Sequence, residues 1–115
     1  LPGSGSLRQN RKHAAVTELL DQINALIDNS GDLDQIERTL TDGYAYALSL
    51  EAERWRLEKR ISEGAQDLQD GDLAENAIEL RTLARRLSGN ADDLARLRTL
   101  LADLRRHADD VRVSV

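Results

Sequence analysis

Four residues able to cap a helix are each followed, three positions on, by an acidic or amide side chain and then by apolar residues at helical spacing. They are Ser6 with Gln9, Asp32 with Gln35, Asp72 with Glu75, and Asn90 with Asp93. In the first three, the cap oxygen can accept from the amide three residues on, while that residue's longer side chain reaches back to the cap amide. Asp93 is short for that reach, so the fourth pair is a looser version. Four starts predict up to four helices, and no segment reads as strand. The fold class expected is all-α.

The length and composition limit the rest. At 115 residues the chain makes one domain, or one helical module of a longer chain, with little volume for a catalytic cavity beside its core. It has no cysteine, hence no disulfide or thiolate chemistry. It also lacks an apolar run near 18 residues. Residues 1–6 read as a flexible linker or an expression remnant rather than a leader, residues 7–112 as a single helical-bundle domain, and 113–115 as a tail. The basic residues are 14 Arg and 2 Lys, a bias that suggests a GC-rich bacterial genome and a cytoplasmic protein.

Charge is unevenly spread. Residues 13–80 carry 5 basic and 16 acidic side chains, whereas residues 81–115 carry 8 Arg and 5 Asp. The arginine-rich third is expected to pair with the acidic middle across helix flanks. Its interleaved aspartates, the lack of accompanying aromatics and the net charge of −5 argue against a nucleic-acid surface.

Apolar spacing places the helices. The first should run from Leu7 to Asp28 with a single stripe, Val16, Leu19, Leu20, Ile23, Leu26 and Ile27. Gly31 is suited to the left-handed position that ends it. The second should run from Leu33 to about Leu68, roughly 54 Å. Its seam is Leu33, Ile36, Leu40, Ala47, Leu50, Leu57, Ile61 and Leu68, with gaps at Gly43, Arg54 and Gly64. Those glycines signal either close helix contact or a bend. A second stripe, Tyr44, Leu48, Ala52 and Trp55, runs beside the seam. After a turn at Asp70–Asp72 the pattern resumes at Leu73. The segment carries Ala77, Leu80, Leu83, Ala84 and Leu87, and the repeat runs on through Ala91 and Leu94, with a three-residue slip at Leu97, and continues through Leu101, Leu104 and Ala108 to Val111.

Two architectures fit this pattern. In one, Leu73 to Val111 is a single helix, possible with local overwinding at Gly89, and pairs with the second helix as a long antiparallel hairpin or coiled coil. The additional N-terminal helix then folds back along one end. In the other, Ser88-Gly89-Asn90 stops one helix and starts the next, giving a compact four-helix bundle. The expected fold is thus a three- to four-helix bundle.

Nothing in the chain forms a nucleophile–base constellation or a phosphate loop, so no enzyme and no cofactor is expected. Asp103, His107 and Asp110 share one helix face, but facing helices supply no matching ligands, and the group reads as a solvated face rather than a metal site. Asp67, Asp70, Asp72 and Glu75 do not follow a calcium-loop pattern and read as a capped turn. Glu51, Glu53 and Glu58 alternate with Arg54, Arg56, Lys59 and Arg60 as a salt-bridged face.

The three aromatics, Tyr44, Tyr46 and Trp55, fall within 12 residues. The run Tyr44–Leu50 is apolar nearly all round its helix, and Tyr46, outside both stripes, is expected to point away from the protomer. Tyr44, Tyr46, Leu48 and Trp55 are therefore the candidate interface. The function expected is a helical interaction module that self-associates, as a homodimer, through this face. The alternative is a bacterial regulatory adaptor whose hairpin binds or masks a transcription factor or another helical protein.

Overall fold

The only proline stands at position 2, so no residue from Gly3 onward lacks the amide that a helix needs. The computed structural model describes residues 3–29, 32–70 and 73–114, with side chains described for 14–28, 32–66 and 74–113. It contains three helices, α1 (Gly3–Asn29), α2 (Leu33–Asp70) and α3 (Leu73–Ser114), and no strand among the described residues. α2 and α3 pack closely as a hairpin. The helix α1 begins ahead of the expected start at Leu7. Gly3 and Gly5 each cost about 1 kcal/mol relative to Ala in a helix, which weakens the turn without forbidding it. Asp32 stands at the N-cap of α2, its carbonyl accepting from the Ile36 amide at 3.0 Å. The expected stop at Gly31 and the cap at Asp72 lie outside the described residues.

The helices form two compact units. The first is Leu1–Ala45 with Arg96–Val115, and the second is Tyr46–Ala95. In the first unit, Val16, Leu19, Ile23 and Leu26 of α1 are buried. So are Ile36 and Leu40 of α2, and Leu97, Leu101, Leu104 and Ala108 of α3. Each such aliphatic side chain contributes roughly 1.5–3 kcal/mol on leaving water. Gly43 belongs to this seam. A Cβ there would collide with the Cδ2 of Leu101, so the glycine admits a close approach of α3 rather than a bend.

In the second unit, Ala47, Leu50 and Leu57 of α2 and Leu83 and Leu94 of α3 are buried. Gly64 repeats the close approach: its Cβ would lie 2.8 Å from Leu80 Cδ2. Asn90 is buried in this seam and donates from Nδ2 to the Leu50 carbonyl at 3.0 Å. It is therefore not the N-cap of a fourth helix.

This position of Asn90 corrects the expected phase of α3. Ala77 and Ala84 are exposed, whereas Asn76 is half-buried and Leu83 and Asn90 are buried. The seam runs Asn76, Leu80, Leu83, Leu87, Asn90, Leu94, Leu97, Leu101, Leu104, Ala108, Val111, in steps of four and three throughout. Once Asn90 takes the place read for Ala91, the slip at Leu97 disappears. An unbroken heptad gives the chain no reason to stop at Gly89, and α3 passes through it as helix.

Gly89 is exposed, and a Cβ there would meet nothing within 4 Å. Gly89→Ala should therefore stabilise the fold by about 0.5–1 kcal/mol, through lower unfolded-chain entropy. Gly43→Ala should instead destabilise it by about 1–3 kcal/mol, because Leu101 must move. Urea unfolding of the two variants checks both signs.

Candidate interaction surface

The seam of the second unit has two flanks of different character. On one flank, Arg60 pairs with Glu79 at 3.1 Å and Glu53 with Arg86 at 3.9 Å. These residues recur at seven-residue intervals, as do Tyr46 before Glu53 and Asp93 after Arg86. Tyr46 is half-buried on this charged flank. Burial pushes its hydroxyl above the ordinary 10.0, and the Asp93 and Glu53 carboxylates push it the same way. The expectation that Tyr46 points outward is thus corrected. Its half-burial and the nearby Asp93 of α3 are not visible from α2 alone.

The opposite flank is open. Its α2 residues are Glu51 and Glu58, and its α3 residues are Ala84 and Ala91. Leu48 and Trp55, one turn before those glutamates, are 65% and 63% exposed. Lys59 Nζ lies 5.3 Å from the centroid of the Trp55 ring. This is cation–π distance, worth about 0.5–1 kcal/mol at an exposed site. Arg54 bonds Glu58 along the helix at 3.0 Å. The seam residues nearest this flank, Ile61, Leu80 and Leu87, are only half-buried, whereas Leu50, Leu57, Leu83 and Asn90, towards the charged flank, are buried.

Tyr44 belongs to the first unit. It is 42% exposed and borders a shallow groove of about 500 Å³ with Leu40, Thr41, Arg105, Ala108 and the Glu37–Arg112 pair. The four aromatic and apolar residues read from the sequence therefore divide. Leu48 and Trp55 share one exposed face of the second unit, Tyr46 sits on that unit's charged flank, and Tyr44 lines a groove of the first.

Elsewhere the chemistry is sparse. Asp103 pairs with Arg106. His107 is half-buried, with Nε2 enclosed and unpartnered. Among the described residues no three His, Cys, Asp or Glu side chains are grouped to hold a metal ion. The side chains of His13, Asp67, Asp70 and Asp72 lie outside the described residues. No described helix is long and apolar enough to cross a membrane. No family model, curated protein or solved structure matches the chain.

Two polar features of the seam have only a weak trace in the sequence. Asn76 and Asn90 stand two heptads apart, but an apolar scan passes over them to the adjacent alanines. Their signal is the regular step from Leu80 to Leu83 and from Leu94 to Leu97, which only an asparagine position continues without a slip.

The raised Tyr46 hydroxyl makes stability depend on pH in the alkaline range. Above about pH 10 the unfolded chain releases this proton while the folded chain retains it. Stability should therefore fall as pH rises from 10 through the folded value. Tyr46→Phe should flatten this loss, as read by urea midpoints between pH 9 and 11.5.

Proposed function

We propose that this protein is a non-enzymatic helical interaction module whose first partner is a second copy of itself, bound through the face that carries Leu48 and Trp55. The observation that carries this reading is their exposure, 65% and 63%, beside a seam that already has its own apolar residues. Two large apolar side chains held seven residues apart on one helix form a rigid row, and Trp is a common anchor of interfaces. Leaving the row in water forfeits about 25 cal/mol per Å² of apolar surface. An isologous two-fold contact is the simplest closed way to cover it. Of the four residues of the candidate face, Leu48 and Trp55 are the most exposed, and the self-association reading rests chiefly on them.

We read α1 as the third strand of a three-helix bundle in the first unit. Its buried positions, Val16, Leu19, Ile23 and Leu26, form one stripe, and its opposite positions, Glu18, Asp21, Gln22 and Ala25, are exposed. In this reading the first unit has a complete core of its own, and the second is the part that recruits.

The alternative is an adaptor for another helical protein. The groove beside Tyr44 favours it, because Arg105 and Arg112 flank an apolar floor of Leu40 and Ala108 that suits an amphipathic, acidic helix.

Sedimentation equilibrium of the full chain separates these readings. Self-association predicts a dimer at micromolar concentration, and Leu48→Glu and Trp55→Glu should each weaken it at least tenfold with unchanged far-ultraviolet circular dichroism. A wild-type monomer at several hundred micromolar would remove the self-association reading and leave the adaptor.

A further inference from the structure

The two units differ in what holds each of them together. Side chains are described for 14–28, 32–45 and 96–113 of the first and for 46–66 and 74–95 of the second, a similar number in each. Among them, ten buried apolar side chains belong to the first unit and five to the second. Of the largest that are fully buried, Val16, Ile23, Ile36, Leu97 and Leu104 lie in the first unit, and Leu94 alone in the second. Removal of apolar surface from water is the main favourable term in folding, so similar lengths of helix are held unequally.

The weakness of the second unit is graded along it. Towards the end of α2 and the start of α3, Leu57 and Leu83 are the last buried side chains among the described residues. Beyond them the seam continues as Ile61, Leu80 and Asn76, each half-buried. The polar groups act in the same direction. Asn90 Oδ1 and Arg86 Nε are enclosed without partners, and both regain water when α2 and α3 part. The Arg60–Glu79 pair is about half exposed and adds little. Gly64 and Gly89 stand inside the helices of this unit and gain backbone freedom when it unfolds.

We propose that the second unit opens as a cooperative block while the first remains folded. The hairpin then carries a built-in conformational device: the second unit passes between a paired and an open state without loss of the first unit's core. Opening is reached far more often than global unfolding, because it gives up only the smaller set of buried side chains. It releases Leu50, Leu57, Leu83 and Leu94 to solvent together. The inference stands apart from self-association.

Hydrogen exchange of the full chain, followed by mass spectrometry across a urea series below the unfolding transition, tests it. A Trp55→Glu background keeps association through that exposed face out of the readout. Amides of 50–64 and 76–92 should exchange roughly tenfold or more faster than those of 37–44 and 99–108, and their rates should rise together with urea, as an opening that exposes surface requires. Ile36→Val supplies the deciding comparison. It weakens the first unit equally in the closed and the partly open state, so first-unit amides should exchange about 2- to 12-fold faster while second-unit amides keep their rate. Gly89→Ala should slow the second-unit amides about 2- to 5-fold. The proposal is overturned if both units exchange at one rate, if Ile36→Val speeds them equally, if second-unit exchange does not respond to urea, or if Gly89→Ala leaves it unchanged.

Discussion

The cross-helix pairs Glu53–Arg86 and Arg60–Glu79 fix which part of α3 lies beside which part of α2. The apolar seam cannot do this unaided. Leu80, Leu87, Leu94 and Leu101 stand at equivalent positions of successive heptads, so a shift by seven residues would still place leucine against the same α2 residues. The flanks distinguish the shifts. Moved one heptad in one direction, Glu53 would face Asp93 and Arg60 would face Arg86; moved the other way, Glu53 would face Glu79. An exposed pair such as Arg60–Glu79 is worth only about 0.2–1 kcal/mol. Replacing attraction by repulsion in a packed flank is nonetheless sufficient to separate registers that the leucines leave nearly equal.

Asn90 adds a polar constraint inside the same seam. Its Nδ2 reaches the Leu50 carbonyl, but its Oδ1 is buried without a partner, as is Arg86 Nε. Unsatisfied buried groups cost roughly 1–3 kcal/mol each. A leucine at position 90 would avoid that cost but would make the α3 seam still more uniform. The second unit thus gives up stability at the position where an apolar residue would add to the ambiguity of register, a use for which single seam asparagines are known. It also relies on few buried apolar residues, among them Ala47, Leu50, Leu57, Leu83 and Leu94, which makes its partly covered flank consequential.

Much of this was legible in the residues themselves. The stripe of α1, the α2 seam and the exposed row through Leu48 and Trp55 follow from helical spacing, because each is a property of a single helix. What failed depended on a second helix. Asn90 carries a local cap signature, worth about 1 kcal/mol, but continuity of an aliphatic seam on both sides outweighs it, and the Leu50 carbonyl supplies its partner. Gly43 and Gly64 looked alike as bends or as contacts until Leu101 and Leu80 were placed against them. Tyr46 fell outside both apolar stripes of α2, yet Asp93 and Arg86 on α3 make its side a flank rather than an outer surface.

The unbroken seven-residue step of α3 has a consequence for how such a chain can change in length. One residue inserted into a helix turns everything beyond it by about 100°. In α3 that rotation would carry Leu83 or Leu94 out of the seam and bring Thr82 or Asp93 into it. The change would be felt at every later layer rather than at the site of insertion. Only additions or losses of seven residues keep the seam in phase, and they must occur in α2 and α3 together if the Glu53–Arg86 and Arg60–Glu79 partners are to remain opposite one another. Descendants of this chain can therefore drift freely in surface composition, but their hairpins are confined to a ladder of discrete lengths.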